Sequence, residues 1–280
     1  MLISAARAVS AAAFEVGWVT ARAAMYPWGL LHDRGDDIDP QLYTLTGLSP
    51  ARRGLLGVDV AAATTPIVLV HGIVDNRSAF TMLRRGLRRR GFGCIRSFSY
   101  PPHTSDVRST ARRLAEFVEE VCEETGADAV HVVGHSLGGL VARYYVQRLG
   151  GDARVHTLVT LGTPHEGTHA ARFLPHPLIR QLRPDSDLIA ELAEPAPHCT
   201  TRFVAVHSDV DQLIVPARSA MITHQDLDAV NVPARGIGHL ALPVSGRIVH
   251  QICTSLVLSG TSGRHQHDQE QALAATGEAT

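Results

Sequence analysis

Ala129-Val130-His131-Val132-Val133-Gly134-His135-Ser136-Leu137-Gly138-Gly139-Leu140 takes an apolar run into a glycine-bounded serine and on into a helical pattern. A short apolar run of this kind suits a strand buried on both faces of a parallel sheet. Leu137 to Arg148 then has the spacing of a helix. A serine hydroxyl is a weak nucleophile, and it gains reactivity when held out on a sharp turn beside a base. Such a turn strains the backbone and crowds the residues two positions to either side. Gly134 and Gly138 occupy those positions and carry no Cβ that could collide. The first N–H groups of the following helix face the turn and favour negative charge developing there. Ser136 is therefore the candidate nucleophile. A bare Gly-x-Ser-x-Gly recurs by chance, but its place between a strand and a helix makes it specific.

The rhythm around this segment is that of βαβ units. Ile67 to Val70, Cys94 to Phe98 and Val155 to Thr160 read as strands, as do Arg202 to Val206 and Ala229 to Val232. Helical spacing covers Arg77 to Arg90, Thr104 to Glu124 and Ser245 to Leu258. The expected class is α/β, with a mostly parallel central sheet and helices on both faces. Residues 164–200 break the pattern with six prolines and short amphipathic pieces, and they read as an insertion over the sheet edge. Residues 1–60 are expected to form a helical extension on the body or a membrane surface, and 61–259 the catalytic domain. Residues 260–280 are polar and are expected to be a disordered tail.

Acyl transfer places charge on a carbonyl oxygen, which calls for two preorganised N–H donors. The amide of Leu137, directly after the serine, is one candidate. Ile73 is the other, because the strand Ile67 to Val70 ends in His71-Gly72-Ile73 and Gly72 permits a close backbone approach. His71 precedes the serine and is read as shaping this loop. An acid and then a base should follow Ser136 in the chain. Asp209 and Asp211 both lie after the strand ending at Val206, where a carboxylate can steady an imidazole on a neighbouring loop. Among His224, His239 and His250, only His239 sits in a glycine-flanked loop, Gly236-Ile237-Gly238-His239. It is the candidate base.

Composition removes several other classes. Twenty-six basic residues, all arginine, stand against 27 acidic ones, so no global imbalance points to a nucleic-acid partner. The four cysteines are scattered, without a CxxC pair, and are read as buried free thiols. The Ala- and aromatic-rich first 31 residues contain Arg7 late and Glu15 mid-run, which does not suit a secretory leader. They are also too polar for a spanning helix. A cytoplasmic or peripherally membrane-associated protein is expected.

The ordered set Val70-His71-Gly72, Gly134 to Gly139, Leu161 to Thr168, Asp211 to Pro216 and Gly236 to His239 resembles the bacterial triacylglycerol lipase and esterase group of α/β-hydrolases. It is similar to the Pseudomonas-type and Bacillus-type lipases and, more remotely, to GPI inositol-deacylases. The resemblance implies an α/β-hydrolase fold in which 164–200 form a cap or lid. It favours Asp211 as the acid, since that family places its acid just ahead of an apolar pair and a proline. A single glycine before the oxyanion residue resembles lipases that accept medium or long acyl chains. No cofactor is implied. Some relatives hold a structural calcium, but Asp33, Asp36, Asp37 and Asp39 fit no calcium-loop spacing and are read as a solvated turn. The expectation is thus a serine ester hydrolase of lipid-like esters, with the N-terminal segment as a possible lipid-surface contact. Its rivals are an acyltransferase with the same triad and a non-catalytic hydrolase-fold binding module.

Overall fold

In a computed structural model, which describes residues 65–73, 75–101 and 104–257, six strands form one sheet in the order β2-β1-β3-β4-β5-β6. They are β1 (Ile67–Val70), β2 (Ile95–Phe98), β3 (Val130–His135), β4 (Val155–Leu161), β5 (Arg202–Ser208) and β6 (Asp228–Ala234). Every pairing is parallel. The expected N-terminal extension and C-terminal tail lie outside the described residues.

The chain steps from β1 outward to β2, then crosses back over β1 to reach β3. Parallel crossovers are right-handed, so reversing direction moves the connecting helix to the opposite face. Helix α1 (Thr81–Arg89) and the final helix α6 (246–257) cover one face, through Leu83, Leu87, Ile248, Ile252 and Leu256. Helices α2 (Val107–Thr125) and α3 (Leu137–Arg148) cover the other, through Val107, Leu114, Val118, Leu140 and Val141. Ligands of open α/β sheets bind beyond the strand ends where the order reverses, here between β1 and β3.

Local chemistry sets the helix limits. Asp106 caps α2 by accepting from the amides of Arg108 and Ser109, which starts this helix three residues later than the expected Thr104. Gly126, at φ 67°, ends it. Helix α3 keeps its expected limits because residue 136 is held far from helical angles.

The segment between β4 and β5 holds two short helices, α4 (Pro177–Arg180) and α5 (Asp187–Ala193). Leu178, Leu182, Leu188 and Leu192 are buried on the α2/α3 side of the sheet. Arg143 and Gln147 of α3 donate to the Leu192 carbonyl at 2.9 and 3.1 Å, and Arg108 of α2 grips Glu191. Residues 177–196 are therefore fastened to the body. Phe173 and Leu174, just before them, stand 85% and 54% exposed.

One core residue works against stability. His131 is buried within β3, and neither ring nitrogen finds a hydrogen-bond partner among the described residues. Burial, with His156 nearby, pushes its pKa down to about 3. Unfolded chain takes up this proton near pH 6.5, so stability falls as the pH drops from there toward 3. His131→Val should raise stability by about 1–3 kcal/mol at pH 7.5, the usual cost of orphaned polar groups. The gain should grow by about 1.4 kcal/mol for each pH unit below 6.5. Urea melts at pH 7.5 and 5 test this; equal gains at the two values would refute the burial account.

Candidate active site

Ser136 sits where β3 turns into α3, with φ 54° and ψ −124°, and it is the one non-glycine residue with positive φ among those described. A conformation of this kind costs about 1–3 kcal/mol and persists only when its surroundings enforce it. Several contacts do so. The Ser136 amide donates to the Leu161 carbonyl at 2.9 Å, and the Thr163 hydroxyl donates to the Ser136 carbonyl at 3.0 Å. A Cβ on Gly134 would lie 2.6 Å from the Gly139 Cα, and one on Gly138 would strike the Val70 carbonyl oxygen. Gly139 was not singled out from sequence, yet a Cβ there would collide with Thr163.

The loop after β1 closes over this turn. A Cβ built on Gly72 would meet the Ser136 Cβ at 3.1 Å, which brings the loop that continues into Ile73 against the serine. Tyr100 holds the loop: its hydroxyl donates to the His71 carbonyl at 2.7 Å, and its ring stacks on His71 at 4.2 Å. The Tyr100 amide donates to His71 Nε2 at 3.3 Å, so Nδ1 carries the ring proton and donates to the Gly72 carbonyl at 2.9 Å. His71 has a structural task. Leu137 is the first residue of α3, where the amide has no partner within the helix.

Asp211 and His239 meet from neighbouring strands. Asp211 lies three residues beyond the end of β5, and His239 lies between β6 and α6. His239 Nδ1 donates to Asp211 Oδ2 at 2.7 Å, with both side chains almost wholly buried. The other carboxylate oxygen accepts from the amides of Leu213 and Ile214, each at 2.9 Å. Asp211 is thereby locked, and the lone pair of His239 is left on Nε2. Asp209 does something else: its Oδ1 accepts from the Gly236 amide at 2.7 Å and ties down the turn that leads into His239.

His239 is also fixed to the nucleophile's own strand. His135 Nε2 donates to the His239 carbonyl at 3.1 Å, and the two rings lie 4.9 Å apart. A Cβ on Gly162, next to the Leu161 that binds the Ser136 amide, would lie 2.9 Å from His239 Nδ1. The imidazole thus packs against His135, which directly precedes the serine, and against Gly162, directly after the end of β4. Among the described residues no hydrogen bond joins Ser136 Oγ to His239 Nε2, and contacts of this type often tighten only with substrate bound. The other two histidines are elsewhere: His224 Nε2 donates to the Glu194 carbonyl at 2.9 Å, and His250 is exposed on α6.

Sequence reading also missed Ser208, which donates to the Ile237 carbonyl and accepts from the Val210 amide, joining the acid loop to the base loop. It missed the buried pair Arg143 and His165. Arg143, its pKa lowered to about 10 by burial, donates to the His165 carbonyl at 3.2 Å, and His165 is kept neutral by burial. These two floor a cavity of about 470 Å³ between α3, α5 and residues 221–226. Ser136, Asp211 and His239 do not line it.

All four cysteines are free thiols. Among the described residues no group of three His, Cys, Asp or Glu side chains could hold a metal ion. No described helix is long and apolar enough to cross a membrane.

The family model for palmitoyl protein thioesterases matches residues 66–196. A triacylglycerol lipase of Pseudarthrobacter phenanthrenivorans is 28% identical over 121 residues, which are 41% of this chain and 37% of that protein. A lysosomal thioesterase PPT2 homolog of Drosophila melanogaster is 28% identical over 120 residues, covering 42% of this chain and 41% of the relative. The matched stretch is thus about two fifths of the length of these curated relatives. Among solved structures, the mature Bacillus licheniformis lipase BlEst2 superposes with a TM-score of 0.56 at 16% identity, over 69% of this chain and 91% of that one. The Paleococcus ferrophilus monoacylglycerol lipase gives 0.53 at 17% identity, over 70% and 96%. At such identities the structures speak for the fold, and the sequence matches speak for descent. Over residues 66–196 the chain is thus similar in sequence to palmitoyl protein thioesterases and triacylglycerol lipases, and it shares its fold with solved lipases.

Proposed function

We propose that this chain hydrolyses lipid-like carboxylic esters through an acyl-enzyme formed on Ser136. The observation that carries the proposal is the buried Asp211–His239 pair, whose imidazole packs on His135, the residue directly before a serine held in a strained turn. In this reading His239 Nε2 takes the Ser136 proton as Oγ bonds to the ester carbonyl carbon. The amides of Leu137 and Ile73 meet the resulting oxyanion, each supplying about 2.7–4 kcal/mol of barrier lowering. The carbonyl re-forms, the bond to the alcohol oxygen breaks, and His239 returns its proton to that oxygen. Water then attacks the acyl carbonyl carbon as it gives a proton to His239; the bond to Ser136 Oγ breaks, His239 returns that proton to Oγ, and the carboxylic acid leaves. Asp211 stabilises the imidazolium at each transfer without taking up a proton itself.

The match to the palmitoyl protein thioesterase model favours a second substrate, a thioester of a long acyl chain, which the same steps would cleave. The cap, residues 164–200, moves in this account only over 173–176, since Thr168 and His169 are tied to Leu182, Leu213 and Val215 and the part beyond is fastened to α2 and α3. Residues 1–60 would supply an added lipid-surface contact for a cytoplasmic or membrane-peripheral enzyme.

A fluorophosphonate probe tests the proposal directly. We expect covalent labelling on the peptide that contains Ser136, competed by p-nitrophenyl and thioester substrates of increasing chain length. Product analysis with added acceptor alcohols should give the free acid. A chain that takes no label is an inert scaffold, and one that yields mainly the new ester is an acyltransferase.

A further inference from the structure

Helices α1 and α6 lie side by side on the sheet face opposite α3. A Cβ on Gly86 would meet Val249 at 2.6 Å, and four residues further along each helix Arg90 acts electrostatically on Cys253. The two helices are therefore parallel neighbours. Their surroundings have a charge bias that the near-zero net charge conceals. Residues 76–105 and 229–257 together contain nine arginines and no aspartate or glutamate. Arg96 is set apart, paired with Glu124, and Arg235 directly precedes Gly236, whose amide donates to Asp209. Arg85, Arg88 and Arg89 are exposed on α1, as is Arg90 directly after it, and Arg247 is exposed on α6. Among the described residues Arg85, Arg89, Arg90 and Arg247 make no ion pair with a carboxylate.

We infer that this arginine face docks the protein on an anionic phospholipid bilayer. Like charges gathered on a flat pair of helices repel one another in water, and a surface of opposite charge removes that penalty. Clusters of four to eight arginines or lysines on a helix surface have the density that attracts acidic headgroups. Met82, 50% exposed on the same helix, adds an apolar side chain that can enter the headgroup boundary. The exposed large apolar residues of this face include no aromatic ring on which a nucleic-acid base could stack. The choice of lipid over other polyanions rests in part on the ester-hydrolase reading above. Helix α1 follows the loop at the C-terminal end of β1, the sheet edge that also carries Ser136.

The test is sedimentation of the full chain with vesicles of phosphatidylglycerol and phosphatidylcholine, or of phosphatidylcholine alone. Binding to the anionic vesicles at about 0.1 M salt is expected, with loss at about 1 M, where the screening length falls to about 3 Å. The variant Arg85→Glu/Arg89→Glu/Arg247→Glu should partition at least about tenfold more weakly. It should keep its melting temperature and its hydrolysis of a soluble p-nitrophenyl ester. Equal binding to neutral and anionic vesicles overturns the inference. So does undiminished binding of the variant, which would assign the contact to another part of the chain, and so does binding of an oligonucleotide in place of vesicles. Hydrolysis of the soluble ester without vesicle binding removes this surface and leaves the enzyme reading; vesicle binding without hydrolysis does the reverse.

Discussion

Ser136→Ala is expected to lower kcat for a p-nitrophenyl ester by about 10⁵- to 10⁶-fold while leaving the melting temperature close to that of the wild type. The rate loss follows because oxyanion donors and binding alone sustain only a small residue of catalysis once the nucleophile is gone. The stability expectation follows from the backbone. Alanine keeps the Cβ, so the strain at φ 54° stays in place, and among the described residues the hydroxyl makes no hydrogen bond whose loss would be felt. Ser136→Gly separates the two effects. Glycine accepts positive φ without penalty, so this variant should be equally inactive yet more stable than Ser136→Ala by about 1 kcal/mol. Turnover by Ser136→Ala equal to that of the wild type, after purification free of host esterases, would remove the serine from the mechanism. A destabilised Ser136→Gly would show instead that the turn is not strained.

How far the sequence could be read depended on whether the information was local. Strand β3, the turn and α3 are encoded within twenty consecutive residues, and the limits of α3 follow from apolar period and the one residue barred from helical angles, while β3, expected over Ala129 to Val133, runs from Val130 to His135. The parallel sheet and the two helix layers follow from βαβ rhythm, whereas the strand order is known only from the structure. Strands β5 and β6 were expected to end at Val206 and Val232, yet they continue as paired neighbours to Ser208 and Ala234. Mutual pairing decides where such strands end, and hydropathy does not register it. The supports of the site were illegible for a related reason. Tyr100 lies 29 residues from His71, Thr163 lies 27 from Ser136, and Ser208 lies 29 from Ile237. A hydroxyl that holds a distant carbonyl leaves no periodic trace. Arg143 was likewise hidden, since an arginine in a helix reads as a solvated residue until the helix proves buried on nearly every side. His131 passed as part of an apolar run because strand periodicity cannot tell a satisfied histidine from an orphaned one.

Asp211 and Asp209 stand two residues apart, and their conservative variants should behave very differently. Asp211→Asn is expected to cost about 10⁴-fold in kcat, the scale seen when a triad carboxylate becomes an amide. Oδ1 of Asp211 accepts from two backbone amides and Oδ2 accepts from His239 Nδ1, so every position around the carboxylate requires an acceptor. An amide has only one acceptor atom. If its oxygen stays with Leu213 and Ile214, its NH₂ faces His239, and the imidazole must move its proton to Nε2, where it can no longer accept from serine. Asp209→Asn meets no such conflict, because the Asn oxygen can still accept from the Gly236 amide. That variant should stay within about threefold of wild-type kcat. Asp209→Ala, which loses the tie altogether, should cost about 1 kcal/mol of stability and a modest part of the rate through a looser His239 loop. Because the defect of Asp211→Asn is a misplaced proton and not a lost contact with substrate, KM should change little while kcat falls. The reverse pattern, a mild Asp211→Asn and a crippled Asp209→Asn, would transfer the role of triad acid to Asp209.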